Sequence, residues 1–446
     1  MKLLMAVSNR VKEFHPDHHA VFKGMTLVVL FLFVGKFLGA AKEMAVAYRY
    51  GVGPELDAYL FVFNIMSWAV SIWFTVVGVV IVPLWARVHG DGSLSRFRAE
   101  LLGLTLIFGA TLALLFWIVL PLLLSSSLVT LPSNIKSATI RMVPVFILLA
   151  PLGAATSLFS TWILADGKHI GTLLEGVPAI AIGISVLMFA SGDIDVLVWG
   201  TVAGSALYLI CLAATLARRK ALEAPRFTRH SEHWPLFWKG FGIMALGQAC
   251  MNVISIMDQL FAVRLGPGAV ATLSYSDRIT ALLLSLGGIA ISRATLPVFS
   301  KAQSRGDGQV YGIARQWTGL MFAAGVLVAL LAWAGAPYGV RLLFQRGAFT
   351  EEDAVTVTTV FCYGLLQIPF FFAGLVLISN LLSLGLHHWV AKVGITLFII
   401  KVIGNYLLVP VLGIKGIAVA TAVMYVFSFT ILWALAAYAH HTNARV

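Results

Sequence analysis

Long apolar runs recur along the chain, each closed by a short polar stretch. A membrane crossing needs about 20 mostly apolar residues in helical form. Twelve segments meet that length: residues 25–48, 57–84, 101–124, 139–164, 170–190, 195–217, 237–263, 269–297, 314–336, 353–384, 389–411 and 414–439. Helix is the expected form, because lipid offers no partner to an unpaired backbone N–H or C=O. The pattern predicts an all-α integral membrane protein of about twelve transmembrane helices. The longest connection, 218–236, divides them six and six. It predicts a lobe over 24–217, a basic hinge-like linker over 218–236, a second lobe over 237–440, and short tails over 1–23 and 441–446.

Composition agrees. Of 446 residues, 60% are hydrophobic and 11% charged, and the mean hydropathy is +0.93; a soluble domain carries roughly 25% charged residues. The formal net charge of +12 would suggest nucleic acid in a soluble chain. Here the charges fall between apolar segments, so they report topology and no nucleic-acid partner is expected. With the N-terminus inside, loops on the cytoplasmic side hold 19 Lys and Arg against 5 outside. That bias predicts both termini in the cytoplasm of a bacterial inner-membrane, multi-pass protein. Residues 1–23 are polar and lack the apolar core of a cleavable signal. Cys211, Cys250 and Cys362 are scattered and suit no metal spacing. The histidine clusters (His15, His18, His19; His387, His388; His440, His441) sit at cytoplasmic helix ends and read as interfacial polar residues, so no metal site is expected. No nucleotide-binding loop occurs, and no cofactor is expected.

The chain repeats itself. Arg49-Tyr50-Gly51-Val52-Gly53 matches Arg264-Leu265-Gly266-Pro267-Gly268, and Val82-Pro83 through Gly90-Asp91-Gly92 matches Leu296-Pro297 through Gly306-Asp307-Gly308, at an offset of about 215 residues. Six helices per half is an even number, so the halves share one orientation. This is the parallel-repeat plan of rocking transporters, with the site between halves.

Charges inside the apolar segments mark that site. A charge at mid-bilayer costs about 3 kcal/mol on insertion scales and persists where it faces protein or water. Lys36, Lys42 and Glu43 lie in the first segment, Asp57 opens the second, Asp258 lies in the seventh, Asp277, Arg278 and Arg293 in the eighth, and Lys401 in the eleventh. Lys36 and Glu43 are seven apart and share a helix face, whereas Lys42 points about 100° away. Lys36, Lys42, Arg278 and Lys401 are the expected substrate-binding cations, with Glu43, Asp57, Asp258 and Asp277 as supporting or ion-coupling acids. A cationic cavity suits a lipid-linked pyrophosphate, since Arg and Lys both hold phosphate.

Tyr275-Ser276-Asp277-Arg278, Leu296 to Lys301, Leu343 to Thr350, and Gly39 to Glu43 followed by Asp57-Ala58-Tyr59 resemble, in order and spacing, the MurJ/MviN family of lipid II flippases, within the wider superfamily that includes polysaccharide exporters. The resemblance runs from about residue 30 to 430. It implies two six-helix lobes around a cationic cavity and transport of an undecaprenyl-pyrophosphate-linked sugar by alternating access. Lys36 and Lys42 fall where the family has arginines, Glu43 and Asp57 on aspartates, and Arg278 on an arginine.

The second segment departs from the pattern. The family's paired arginine and Glu-Gly-Ala-Phe motif are replaced by the uncharged stretch Ser67 to Gly78, and Lys401 is expected to restore charge lost there. Peptidoglycan flippases of the family also tend to carry two helices beyond the equivalent of segment twelve. Lipid II and a polysaccharide repeat unit are therefore equal expectations for the cargo. Membrane lipid is the expected surrounding partner, and membrane potential or a proton or sodium gradient the expected driver.

Three rivals make different demands. A cation or drug antiporter of the MATE type needs an acidic cavity, which these charges do not favour. A glycan polymerase or ligase needs a sizeable outer loop, and the longest here, 337–352, is short, so no enzyme is expected. A non-transporting scaffold relative predicts no transport by the purified protein.

Overall fold

The computed structural model describes residues 16–88, 93–125, 133–166, 168, 170–189, 193–304, 310–384 and 386–443, and among these there is no strand. The first half contains α1 (Pro16–Tyr50), α2 (Pro54–Val88), α3 (Ser93–Ser125), α4 (Ser133–Phe146), α5 (Leu149–Ala165), α6 (Ile170–Leu174), α7 (Val177–Met188) and α8 (Ile194–Arg218). The second contains α9 (Trp234–Val263), α10 (Ala269–Ser304), α11 (Val310–Phe344), α12 (Glu351–Gly364), α13 (Ile368–Ser383), α14 (His387–Leu412) and α15 (Ile414–Asn443). Among the described residues eight helical stretches are long and apolar enough to cross a membrane, and α4 with α5, bent by 48°, makes a ninth. Helices α1, α9 and α10 run for 35, 30 and 36 residues over the expected first, seventh and eighth segments.

Three expected segments are broken, each just before a proline. Proline lacks an N–H, and its ring clashes with the carbonyl four residues earlier. Pro151 follows the α4–α5 bend at 147–148, and Pro178 follows the α6–α7 break at 175–176. Pro369 follows the 3-10 turn Leu365–Gln367 that joins α12 to α13. Pro121, Pro144, Pro337 and Pro410 lie inside helices that continue through them.

Within the first half α2 and α3 pack on α5, α8 on α7, and α7 on α1. In the second half α13 packs on α10 and α11, and α15 on α14. The halves meet where α9 and α10 lie against α2, and where α11 touches α1. Apolar clusters cross that junction: one joins Val46, Tyr59 and Val62 to Val263, Tyr275, Phe344 and Phe349, and another joins Trp73 and Phe97 to Trp234 and Phe237. Gly51 and Gly266, matched in the repeat, both take positive φ, +57° and +111°. Each ends its helix in the left-handed turn that favours glycine.

The linker is pinned to α3 rather than hanging free as a hinge. Buried Glu100 accepts hydrogen bonds from Thr228 Oγ1 (2.9 Å), His230 N (3.0 Å), Ser231 N (3.1 Å) and Trp234 Nε1 (2.7 Å). Arg226 N donates to the Ala99 carbonyl at 2.8 Å. Gly103 makes room, since a Cβ there would sit 2.1 Å from the Arg226 carbonyl oxygen. The tail 1–15, Gly90-Asp91-Gly92 and Gly306 to Gly308 of the repeat, and the side chains of Arg293, Cys250 and the three histidine clusters lie outside the described residues.

Candidate functional site

One face of α1 builds a cavity between the halves. Gly35, Lys36, Gly39, Ala40 and Glu43 line it from one side, at the four-residue spacing that stacks side chains on a helix. Arg278, Ile279, Ala281 and Leu282 of α10 face them, and Thr172 and Glu175 complete the wall, enclosing about 420 Å³. Gly35 and Gly39 open the space, because a Cβ at either would meet nothing within 4 Å.

The charges here are organised around one carboxylate. Glu43 is buried; Lys42 Nζ lies 2.5 Å from its Oε1, and Arg278, from the other half, pairs with its Oε2. Two cations thus share one acid, and the Arg278 side chain keeps 29% exposure. Its planar fork retains N–H donors for an anion. Lys36 is exposed in the cavity. Lys42 leans on Glu43 but does not line the space, in keeping with its position around the helix.

Two residues expected at the cavity are placed elsewhere. Lys401 is fully buried and caged: its Nζ donates to the Ile417 carbonyl (2.9 Å) and Thr421 Oγ1 (2.6 Å), and pairs with Asp258 Oδ1 (2.9 Å). Asn405 Nδ2 donates to the same Asp258 oxygen at 2.7 Å. The cluster ties α9, α14 and α15 together, so Lys401 does not replace charge missing from α2, and Asp258 is occupied. The physical reason is that a buried ammonium needs a counter-charge and full hydrogen bonding, and both come from its own half.

Asp57 is the second. Fully buried, it accepts from Gly268 N (2.5 Å) and Ala271 N (2.7 Å), the first turn of α10. A helix start offers free N–H groups and a positive dipole end, so this carboxylate clasps the opposite half. Asp277 is exposed, lies outside the cavity lining and is within electrostatic reach of Asp258 and Lys401.

Around Asp57 the halves touch backbone to backbone. Ala348 N donates to the Tyr48 carbonyl at 2.8 Å, and Tyr275 OH to the Gly51 carbonyl at 3.3 Å. A Cβ at Gly51 would lie 2.3 Å from the Ala348 oxygen, and one at Gly347 would lie 2.2 Å from the Tyr48 oxygen. Arg49 grips the turn after α7 by donating to the Phe189 carbonyl at 2.9 Å. The end of the molecule at the α1–α2 turn is therefore closed.

Sequence reasoning missed Glu175. It sits in the break between α6 and α7, where Gly176 lets Leu38 of α1 approach to 2.7 Å of a notional Cβ. A signal was there: Glu175 is the only acid between residues 170 and 190, three before Pro178. It also lines a second cavity, of about 400 Å³, inside the first half.

A profile of the family described as "Lipid II flippase MurJ" matches residues 46–444. The chain is 20% identical over 430 residues to the probable lipid II flippase MurJ of Buchnera aphidicola subsp. Baizongia pistaciae, spanning 93% of this chain and 83% of that one. It is 24% identical to the lipid II flippase MurJ of Burkholderia cenocepacia, over 90% of this chain and 81% of the relative. Among solved structures, lipid II flippase MurJ in an inward closed conformation superposes with a TM-score of 0.79 at 17% identity, covering 91% of this chain and 86% of that one. An inward-facing MATE family multidrug transporter superposes with a TM-score of 0.78 at 16% identity, over 94% and 99%. At these identities the superpositions speak to fold alone; the profile match, over most of the sequence, places the chain in the MurJ family of lipid II flippases.

Proposed function

We propose that this protein flips an undecaprenyl-pyrophosphate-linked sugar precursor from the inner to the outer leaflet by alternating access. The observation that carries this reading is the cavity between two halves, faced by exposed Lys36 and half-buried Arg278 while the molecule is closed at its α1–α2 end. In the expected topology the closed end faces outward, and the cavity loads from the cytoplasmic side. The pyrophosphate takes Lys36 as a point charge and Arg278 as a fork. It competes with Glu43 for Arg278, and that exchange weakens the tie between halves. Binding and opening are coupled through this one carboxylate.

Moving negative charge outward runs with an inside-negative potential, worth about 2.3 kcal/mol per charge per 100 mV. Membrane potential is therefore the proposed driver. Asp258, neutralised by Lys401, is a poor partner for a free proton or sodium ion.

Complementation in a strain depleted of its own lipid II flippase tests the reading. Wild type is expected to rescue growth, while Lys36→Ala and Arg278→Ala, expressed at equal levels, are expected to lose rescue. Rescue undiminished in both variants would remove the cationic cavity from the mechanism. A well-expressed wild type that does not rescue would direct attention to a polysaccharide repeat unit, read as a missing surface glycan in a deletion strain.

A further inference from the structure

The cavity inside the first half has a wall chemistry opposite to that of the cationic one. It lies along the uncharged stretch of α2, lined there by Met66, Val70, Ser71 and Phe74, and bounded by Thr156 and Ser157 of α5, Ser205 and Tyr208 of α8, and Glu175. A hydroxyl has one proton to give and two lone pairs to offer. Here the protons are spent on each helix's own backbone. Ser71 donates to the Trp68 carbonyl (2.7 Å), Thr156 and Ser157 to the Gly153 carbonyl (2.9 and 2.6 Å), and Ser205 to the Thr201 carbonyl (2.9 Å). The hydroxyls of Ser67 and Tyr208 also line the space, and a hydroxyl can donate as well as accept. The polar groups around the space are therefore richer in acceptors than in donors, with one carboxylate among them, set in a mostly apolar wall that includes the rings of Phe63, Phe74 and Tyr208.

An apolar, aromatic-walled pocket with more acceptors than donors fits a ligand that carries hydroxyl or N–H donors at its edge and apolar faces. Neutral sugars have that character: hydroxyl and acetamido N–H donors at the edge, C–H faces above and below. The placement agrees. Glu175 lines both cavities, so the two spaces adjoin at this residue, and Lys36 acts on Glu175 through space. A ligand with its pyrophosphate on Lys36 and Arg278 reaches the acceptor pocket with the group attached directly beyond the phosphates.

We propose that the pocket of α2, α5 and α8 is a sugar subsite. It takes the neutral, hydroxyl- or acetamido-bearing sugar joined to the pyrophosphate, with Glu175 accepting its hydrogen bonds and disfavouring a carboxylate there. This rests on the flippase reading above and adds a specificity to it. The charges absent from α2 are replaced by a surface that recognises a neutral glycan.

The test measures equilibrium binding of three probes to the full-length protein in nanodiscs: undecaprenyl pyrophosphate, the same lipid carrying N-acetylglucosamine, and the same lipid carrying glucuronic acid. For wild type, N-acetylglucosamine is expected to tighten binding roughly tenfold over the bare pyrophosphate, the scale of one hydrogen bond to a charged group. Glucuronic acid is expected to give no gain. In Glu175→Ala, N-acetylglucosamine should give no gain over that variant's own affinity for undecaprenyl pyrophosphate, whatever that affinity is. Glu175→Gln, which keeps an acceptor, should retain part of the gain and accept glucuronic acid. Ser71→Ala with Ser157→Ala, which changes no charge, should reduce the gain as a second route to the same answer. Bare pyrophosphate binding with no sugar gain in wild type, or a full gain surviving in both Glu175→Ala and the serine variant, overturns the subsite and leaves the flippase reading standing. Failure of wild type to bind undecaprenyl pyrophosphate overturns both.

Discussion

At the scale of single residues, charge inside the membrane has been sorted by what surrounds it. Lys401 and Asp258 are a closed pair within one half, and Lys36 and Arg278 face open space. Removing one partner of a buried pair strands the other, at about 3–5 kcal/mol. Lys401→Ala is therefore expected to lower the melting temperature in detergent markedly, and Lys401→Ala with Asp258→Ala to recover much of it. A double variant no more stable than the single would show that the pair is not the unit. The sequence announced the burial of Lys401 but not its partners, because Asp258 lies 143 positions away and Thr421 arrives from the next helix. Intramembrane position alone does not separate a structural ion pair from a substrate contact.

At the scale of elements, two connections carry more than their lengths suggest. The turn between α1 and α2 is set by Gly51 at φ +57°, against the Ala348 carbonyl. Alanine there meets left-handed strain of about 1–2 kcal/mol and a backbone collision. Gly51→Ala is expected to prise the halves apart at this end, read as faster labelling of a cysteine placed at Tyr48. The linker between halves is held by Glu100, whose four donors would lose their acceptor in Glu100→Ala. Trp234 Nε1 is the buried donor among them, and leaving it unsatisfied costs about 1–3 kcal/mol; with the linker's own donors released to water, limited proteolysis across 218–236 should speed up clearly while cleavage elsewhere stays slow. The sequence showed a basic, polar connection and suggested a hinge. What fixes it is a carboxylate from a neighbouring helix, which no local pattern reports.

At the scale of the whole molecule, the proposed alternating access requires the closed end to open. A disulfide between Tyr48→Cys and Ala348→Cys, in a background lacking Cys211, Cys250 and Cys362, should lock it, since the two backbones already hydrogen-bond at 2.8 Å and disulfides span Cα atoms about 4.4–6.8 Å apart. Rescue of the flippase-depleted strain is expected to vanish on oxidation and return on reduction. Full rescue by the cross-linked protein would exclude rocking at this end.

The sequence by itself determined the apolar helical segments and the glycine turns that follow α1 and α9. Apolar length, proline and glycine act through the local backbone, and their signals lie within a few residues. Tertiary structure alone decided which prolines break a helix, since Pro151 and Pro178 do while Pro121 and Pro144 do not. It alone moved Asp57 and Lys401 out of the cavity, and it alone brought Glu175 to the junction of two cavities. Each of those outcomes depends on a partner contributed by a different helix, and the balance between burying a charge and pairing it is settled only when the helices pack.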